Sequence, residues 1–362
     1  MRVAYTLEQC WHRVPGGTAV AAIETARALG RRADVALVGV SALHRSEAPA
    51  SFRPPIEVRR LALPRPALYE SWHRLRRPAV QSATGPVDVI HATTIAIPPK
   101  TAPLVVTVND LAWLRDPSHF TKRGLAFFDR GLRLALSDAD LVLCPSDATR
   151  ADCSSVGFDD ARLVTVPFGV RMIAASASDI ERVRRAYGIA GPYILWAGTV
   201  EPRKNLSRLL EAFRLLDTEM RLVLVGPEGW NEDLDALLRE TRERVSVLGF
   251  IPARDLAPLY AAAEVFCWPS LVEGFGFPVL EAMAQGTPVV TSRGTSTEEL
   301  ARDAGVLVDP RDAESIAQGI RSVLEDQLLA KELGIAGRTR ASEYTWERTA
   351  KVTAAAYARV AT

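Results

Sequence analysis

Two carboxylates bracket a glycine-rich segment in the second half of the chain. The segment 273–281 reads Glu-Gly-Phe-Gly-Phe-Pro-Val-Leu-Glu, with Glu273 at its start and Glu281 at its end. Proline suits the first turn of a helix, so the pattern predicts a helix from about Phe277 to a stop near Gly286. Carboxylates accept pairs of hydroxyl hydrogen bonds, and sugars and riboses offer such pairs. Taken singly, the two residues would also fit an exposed loop acid and a favourable helix-dipole charge.

Two adjacent cations follow a predicted strand in the same half of the chain. After Tyr193–Ala197 the sequence reads Gly-Thr-Val-Glu-Pro-Arg-Lys-Asn, which places Arg203 beside Lys204. A forked guanidinium and a compact ammonium at a strand-to-helix junction suit a diphosphate. A solvated basic turn is the alternative, but only five of the 44 basic residues are lysines, and Lys204 is the single lysine between residues 123 and 330. This scarcity favours a specific role for Lys204.

A pair of glycines follows the first predicted strand. Gly16 and Gly17 directly precede a helical pattern that runs to Leu29. Adjacent glycines before a helix allow backbone N–H groups to approach an anion at the positive end of the helix. A tight turn without a ligand would have the same sequence, so the pair supports an anion site only together with other residues.

Polar residues also end two further strands in the first half. His91 ends one of them, and Asn109 and Asp110 follow the other. His91 fits a structural histidine and a ligand-binding one equally well. All five histidines lie within the first 119 residues. This distribution excludes a histidine-based metal centre or a Ser-His catalytic pair built wholly from the second half.

Length and composition exclude several classes of protein. A chain of 362 residues exceeds one ordinary core and suits two domains. The 44 basic and 43 acidic residues balance, and no nucleic-acid-binding motif is present. The four cysteines lack paired spacing, so they are expected to be reduced and structural. The start is too polar for a signal peptide and no segment reaches the roughly 18 apolar residues of a membrane span, so we expect a cytoplasmic protein, with peripheral contact at the inner face of the membrane left open.

Short apolar runs alternate with longer amphipathic patterns along the whole chain. This alternation predicts an α/β fold class with two doubly wound, Rossmann-like domains whose parallel sheets face an interdomain cleft. Ligands of such sheets bind beyond the carboxyl ends of the strands, where all the residues named above lie. The predicted domains are a first one at 1–172 and a second one at 173–342, with a hinge near 169–180. A C-terminal helix at 343–362 is expected to cross back to the first domain. Within the first domain, residues 52–79 are expected to form a long excursion with a solvated basic helix face.

Together, the segment from Gly198 to Asn205, the segment from Pro269 to Val290 and the early glycine pair resemble the retaining family 4 glycosyltransferases of GT-B architecture. The resemblance covers nearly the whole chain and is closest to bacterial mannosyl- and rhamnosyltransferases that build polysaccharides and glycolipids. It implies that the second domain binds a nucleotide-diphosphate sugar, with GDP-mannose favoured. The first domain would then bind a saccharide, glycolipid or small-molecule acceptor.

The resemblance also implies roles for individual residues. The diphosphate is expected at Arg203 and Lys204 with the backbone of Gly16 and Gly17. The donor sugar is expected at Glu273 with the amides of Gly274, Phe275, Gly276 and Phe277, the ribose at Glu281, and the base at the backbone of Phe250 and Ile251. The acceptor is expected on the side of His91 and Asp110.

The expected mechanism follows from charge. Breaking the anomeric bond leaves an oxocarbenium-like sugar and a diphosphate with one more negative charge, which Arg203 and Lys204 would stabilise. No metal or other cofactor is then expected. Attack on the same face, with the leaving phosphate accepting the proton of the acceptor, would retain the anomeric configuration.

One departure from the family pattern bears on activity. The chain has Asn109 before Asp110 and Leu111, where the family commonly has a histidine that meets the donor sugar near the transfer point. The resemblance therefore implies that Asn109 is a catalytic residue together with Arg203, Lys204 and Glu273. Asparagine donates a hydrogen bond but carries no charge and shuttles no proton. Asn109 therefore favours one alternative, a non-catalytic sugar-nucleotide binder. A sugar-nucleotide epimerase would need an acid and base pair, and no candidates exist beyond Glu273 and the histidines. A dinucleotide oxidoreductase is not expected, because no Gly-x-Gly-x-x-Gly follows any predicted strand.

Overall fold

The computed structural model describes residues 1–12, 14–229 and 232–361. The chain divides into two compact units. Unit 1 contains Met1–Gly169 and the C-terminal segment that starts at Tyr344, and unit 2 contains Val170–Glu343. The limits expected from the sequence, 172 and 342, lie close to these bounds. No helix within the described ranges is long and apolar enough to span a membrane.

Unit 1 is built on a seven-stranded parallel sheet. Its strands are β1 (Arg2–Thr6), β2 (Ala36–Ser41), β3 (Val58–Arg60), β4 (Val89–Ala92), β5 (Leu104–Thr107), β6 (Leu141–Cys144) and β7 (Leu163–Thr165). They are ordered β3-β2-β1-β4-β5-β6-β7, the doubly wound arrangement. Every residue of β4, β5 and β6 is buried, because helices cover both faces of a parallel sheet.

Helices of unit 1 connect these strands. They are α1 (Gly16–Leu29), α2 (Arg65–Leu75), α3 (Gln81–Thr84), α4 (Ala112–Arg115), α5 (Lys122–Asp138) and α6 (Asp147–Ser155). Short 3-10 helices lie at Glu8–Trp11, Ala50–Phe52, Pro117–His119 and Asp160–Arg162.

The excursion at 52–79 is more ordered than a solvated loop and helix face. It supplies the edge strand β3 and the helix α2. Leu68 and Trp72, one turn apart on α2, are buried in the core of unit 1. Arg74 and Arg77 remain exposed. The exposed arginines fit the expected solvated basic face, while the opposite side of α2, with its i, i+4 apolar pair, packs into the core.

Unit 2 contains a six-stranded parallel sheet. Its strands are β8 (Tyr193–Ala197), β9 (Arg221–Val225), β10 (Val245–Gly249), β11 (Val265–Trp268), β12 (Val289–Ser292) and β13 (Val306–Val308). They are ordered β10-β9-β8-β11-β12-β13. Strands β8 and β11 are thus neighbours, although about 70 residues of sequence separate them. The α/β fold class of two Rossmann-like domains with parallel sheets is confirmed.

Helices of unit 2 lie before its first strand, between its strands and after the last one. They are α7 (Ala177–Ala186), α8 (Leu206–Arg214), α9 (Leu234–Leu238), α10 (Ala253–Ala261), α11 (Phe277–Gln285), α12 (Ser296–Ala301), α13 (Ala313–Glu325) and α14 (Gln327–Ser342). Two 3-10 helices lie at Pro202–Lys204 and Arg242–Arg244.

Helix α11 begins and ends where the proline and glycine pattern predicts. Gly276 precedes it with φ +105° and Gly286 follows it with φ +78°, both in the left-handed region that favours glycine. A Cβ at Gly276 would lie 2.6 Å from Cγ2 of Thr297. Both conformation and space therefore require glycine at position 276.

The last helix, α15 (Trp346–Val360), belongs to unit 1. It packs along α1, and its fully buried Tyr357 forms a 2.6 Å hydrogen bond between its hydroxyl and Nδ1 of His91 on β4. The hydroxyl of Thr349 donates to the carbonyl of Pro167 at 2.7 Å. Side chains that are far apart in sequence therefore attach α15 to the sheet of unit 1.

We expect Tyr357→Phe to destabilise unit 1 by about 1–3 kcal/mol, because the buried Nδ1 of His91 loses its partner. Hydrogen exchange of the amides of β4 and α15 measures this local stability without assuming that both units unfold together. Lys351→Ala, an exposed change on the same helix, is the matched control. Equal protection in the two variants would show that the hydroxyl does not stabilise this packing.

Candidate functional site

The structure brings Arg203, Lys204 and Glu273 together in unit 2. The two cations lie in the 3-10 helix after β8, and Glu273 lies in the loop after the neighbouring strand β11. Nζ of Lys204 contacts Oε1 of Glu273, and Nη1 of Arg203 lies 3.8 Å from Oε2 of the same carboxylate. The adjacency of two parallel strands therefore assembles a cluster from residues 69 positions apart.

Burial and charge act against each other in this ion pair. The side chains of Lys204 and Glu273 are 10% and 8% exposed. Burial, together with the nearby charge of Arg203, lowers the pKa of Lys204, and Glu273 works in the opposite direction. Burial alone would raise the pKa of Glu273, but Lys204 and Arg203 outweigh it and hold that pKa below its ordinary value. Glu273 is therefore an ionised acceptor at neutral pH.

Trp268 fixes the orientation of this carboxylate. Its Nε1 donates to Oε1 of Glu273 at 3.0 Å, and Nζ of Lys204 lies 5.1 Å from the centroid of its ring. An ammonium at that distance over an indole is within cation–π range. Gly198, after β8, leaves room for the ring, since a Cβ there would collide with it. Sequence reasoning missed Trp268, because an aromatic residue at a strand end reads as core.

Asn205 joins three loops at the carboxyl edge of the sheet. It adopts the left-handed conformation, with φ 59° and ψ 37°, and its side chain does not cap α8. Instead, Nδ2 donates to the carbonyls of Pro269 at 2.8 Å and Pro310 at 2.6 Å, which follow β11 and β13. Ser270, fully buried, donates from Oγ to the carbonyl of Arg203 at 2.9 Å. These side-chain-to-backbone bonds hold the loop of the cations against the loop of Glu273.

Glu281 lies in the second turn of α11. Its Oε2 accepts a 3.3 Å hydrogen bond from the hydroxyl of Tyr260, which is fully buried on α10. Burial raises the pKa of Glu281 to about 7, and the bond from Tyr260 offsets only part of that rise. Glu281 is therefore a partly exposed carboxyl that changes charge near neutral pH and can accept or donate a hydrogen bond.

The other residues predicted for the donor lie in the same unit. Phe275 and Phe277, on either side of the constrained Gly276, contact each other edge to face with ring centroids 5.1 Å apart. Beyond β10, Phe250 is 71% exposed and Ile251 is buried. An exposed ring beside a buried aliphatic side chain is consistent with a backbone turn that is open to a ligand.

The remaining predicted residues lie in unit 1. Gly16 and Gly17 are the first two residues of α1, both exposed, and no side chain caps this helix. Asn109 is partly exposed, and its Nδ2 donates to the carbonyl of Thr93 at 3.2 Å. Oδ1 of Asp110 accepts from the backbone N–H of Ala112 at 3.1 Å and so supports the start of α4. Asp110 thus has a structural use that its sequence position did not indicate.

His91 matches the structural alternative of the two that the sequence left open. Its Nδ1 pairs with Tyr357 and its Nε2 with the hydroxyl of Thr107 at 2.8 Å, so both ring nitrogens have partners. Burial lowers the pKa of His91 to about 3, which keeps the ring neutral. It lines a cavity of about 20 Å³ together with Asn109, which is room for about one water molecule.

Comparisons with known proteins identify relatives for both units. Residues 179–340 match the family model described as glycosyl transferases group 1, and residues 15–172 match that of glycosyltransferase family 4. Over 280 residues the chain is 34% identical to O-antigen chain mannosyltransferase B of Escherichia coli, with 74% of each chain covered.

Two further similarities have lower sequence identity. The chain is 29% identical over 279 residues to the serotype-specific mannosyltransferase WbdA of Escherichia coli, covering 71% of this chain but only 32% of that protein. It therefore spans about a third of the length of this relative. A crystal structure of HepE from Anabaena in complex with UDP and glucose superposes with a TM-score of 0.76 at 21% identity, covering 99% of this chain and 100% of that one. At that identity the likeness concerns the fold.

We expect Asn205→Asp to lower the free energy of unfolding of unit 2 by about 2–4 kcal/mol, because a buried carboxylate would face two carbonyl oxygens. Asn205→Gly is the matched control. It loses the same two bonds without repulsion and adopts a positive φ readily, so its loss should be smaller. Urea unfolding of both variants measures the difference, and equal losses would contradict the assigned orientation of the amide.

The raised pKa of Glu281 predicts a pH-dependent stability. A folded-state pKa above the unfolded one contributes stability below about pH 4.5, and this contribution is lost as the pH rises through about 7. Relative to Glu281→Gln, the parent should therefore lose about 2 kcal/mol between pH 4.5 and 7.5, a figure reduced for partial solvent exposure. Urea unfolding at both pH values measures it, with Glu332→Gln as an exposed control. A constant difference would contradict the shift.

Proposed function

The chain belongs to the family 4 glycosyltransferases, the group 1 glycosyl transferases, and on this basis we propose that it moves a hexose from a nucleotide-diphosphate sugar to an acceptor with retention of configuration. The observation that carries the proposal is the cluster of Arg203, Lys204 and Glu273 at the carboxyl ends of β8 and β11. It places two cations and an ionised carboxylate where ligands of parallel sheets bind.

The proposed donor uses each part of this cluster. Arg203 and Lys204 bind the diphosphate. In unit 1, the uncapped amides of Gly16 and Gly17 at the start of α1 are the proposed anion donors. Glu273, held by Trp268, accepts from hydroxyls of the sugar, next to the amides of residues 274–277. Glu281 pairs with the ribose hydroxyls, and the backbone at 250–251 meets the base.

GDP-mannose is the donor that we favour. Two of the relatives, at 34% and 29% identity, are named as mannosyltransferases. HepE, whose structure contains UDP and glucose, is only 21% identical and supports the fold alone. UDP-glucose is therefore the comparison donor for any assay.

The proposed acceptor is a saccharide, a glycolipid or a small molecule bound to unit 1. The relative with 34% identity is named for the O-antigen chain, which makes a growing polysaccharide the first acceptor to test. Contact of unit 1 with the inner face of a membrane belongs to the same proposal. It is supported by Leu75, which is 64% exposed between the exposed Arg74 and Arg77.

The proposed mechanism uses the cations as the electrophilic catalyst. As the anomeric bond breaks, negative charge develops on the diphosphate, and the buried ammonium of Lys204 stabilises it more strongly than water would. The two cations supply this charge stabilisation without a metal ion. The leaving phosphate accepts the proton of the acceptor on the face from which it departs, so the product keeps the configuration of the donor.

One observation favours a second candidate function. Asn109, at the position where the family commonly has histidine, binds the carbonyl of Thr93 through its amide and carries no proton to exchange. A protein that binds the sugar nucleotide without transferring it would tolerate this residue. Acceptor-dependent release of free nucleotide by the parent excludes that function, and its absence with a bound donor would favour it.

We expect Lys204→Met and Glu273→Gln each to lower kcat about 100-fold or more, because each removes a group placed to act on the transition state. Transfer from GDP-mannose and from UDP-glucose to a mannoside acceptor is followed by nucleotide release, and NMR of the product gives its anomeric configuration. Lys331→Met, an exposed change on α14, is the matched control. Turnover within a few-fold of the parent in the two site variants would refute this site, and an inverted product would refute retention.

A further inference from the structure

Glu201 is a second carboxylate in the cation cluster, and no role has yet been given to it. Its side chain is 3% exposed, and its Oε1 lies 2.8 Å from Nη2 of Arg203. Within the described part of the chain, its Oε2 is buried and has no hydrogen-bond partner. A buried acceptor without a partner requires an explanation, since most such atoms are satisfied.

The cluster is electrically balanced before any ligand binds. Arg203 is paired with Glu201, and Lys204 is paired with Glu273, so two positive and two negative charges share one buried site. The site is therefore not a strongly positive pocket of the kind that would bind a diphosphate as tightly as possible. Glu273 has a proposed use, since it can accept from sugar hydroxyls. Glu201 contributes its negative charge on the other edge of Arg203.

A carboxylate in that position acts differently on the donor and on the product. A diphosphate esterified to a sugar carries one negative charge fewer than the free nucleoside diphosphate that the reaction releases. The repulsion from Glu201 is therefore larger for the product. A phosphate bound to Arg203 would lie within several ångströms of Glu201, where at an effective dielectric constant of about 20 one unit charge changes affinity by more than about tenfold. Because Oε2 of Glu201 has no hydrogen-bond donor among the described residues, no further group there offsets the negative charge of this carboxylate.

We propose that Glu201 is a positioning residue that orients Arg203 and, through its charge, limits the affinity of the site for the nucleoside diphosphate product. The proposal rests on the proposed function, because it requires a diphosphate ligand at Arg203 and Lys204. The proposal and a purely structural role predict opposite changes in diphosphate affinity when Glu201 is removed. If Glu201 only held Arg203 in place, its loss would weaken diphosphate binding, whereas removal of an opposing charge strengthens it.

The test compares Glu201→Gln with the parent by isothermal titration calorimetry. GDP, UDP and ADP are titrated into the parent to find the nucleotide that it binds, and that diphosphate and its monophosphate are then titrated into the variant. We expect the diphosphate to bind about ten- to fiftyfold more tightly, and the monophosphate, which carries one negative charge fewer, to gain less. Inhibition of transfer by the diphosphate should strengthen by the same factor.

The matched control is Glu264→Gln, which makes the same change in net charge at the exposed, amino-terminal side of β11. It should bind both nucleotides as the parent does. Glu201→Ala removes the same charge and leaves space for water beside Arg203, so it provides the same comparison if the glutamine variant does not fold.

The outcomes separate this inference from the proposed function. Equal or weaker diphosphate binding by a folded Glu201 variant would overturn the inference and leave the donor site in place, with Glu201 as a structural partner of Arg203. A parent that binds none of the three diphosphates would overturn both. Tighter binding in Glu264→Gln as well would assign the gain to net charge rather than to Glu201.

Discussion

The buried contact between Lys204 and Glu273 is the interaction on which the candidate site depends. Neither charge would be stable at that depth alone, because burial penalises each of them. Their pairing requires β8 and β11 to be neighbours in parallel register, so that both loops leave the sheet at the same edge. The constraint explains why the surrounding residues are specialised. Trp268 supplies a donor and an aromatic face, and Asn205 fixes the spacing of the loops.

The same contact gives the glycosyltransferase a site that is charged but not strongly positive. A cluster of unpaired cations would bind diphosphates tightly at every stage, whereas catalysis benefits only from interactions that strengthen as charge develops. Under the proposed function, pairing each cation with a buried carboxylate would weaken binding of the product more than binding of the donor. The carboxylates of Glu201 and Glu273 would therefore act on the diphosphate together with Arg203 and Lys204.

Local sequence signals predicted the helices, the strands and several site residues, whereas the side-chain contacts of the site depend on segments that are far apart in the sequence. Proline and glycine specified helix α11, and the rarity of lysine singled out Lys204, because both signals act within a few residues. Trp268 and Asn205 could not be identified in this way, since their roles depend on loops that meet only when the sheet has formed. His91 shows the same limit, because its partner lies 266 residues away.

The placement of helix α15 has a consequence for biosynthesis. Unit 1 begins the chain, but α15 and its Tyr357 are synthesised after the whole of unit 2. Ribosomes add about 5–20 residues per second. During the synthesis of unit 2, the sheet of unit 1 therefore lacks Tyr357, the hydrogen-bond partner of His91. The second unit to be translated is thus the first that can finish folding. Until α15 is synthesised, the apolar surface of unit 1 that it covers stays exposed to solvent.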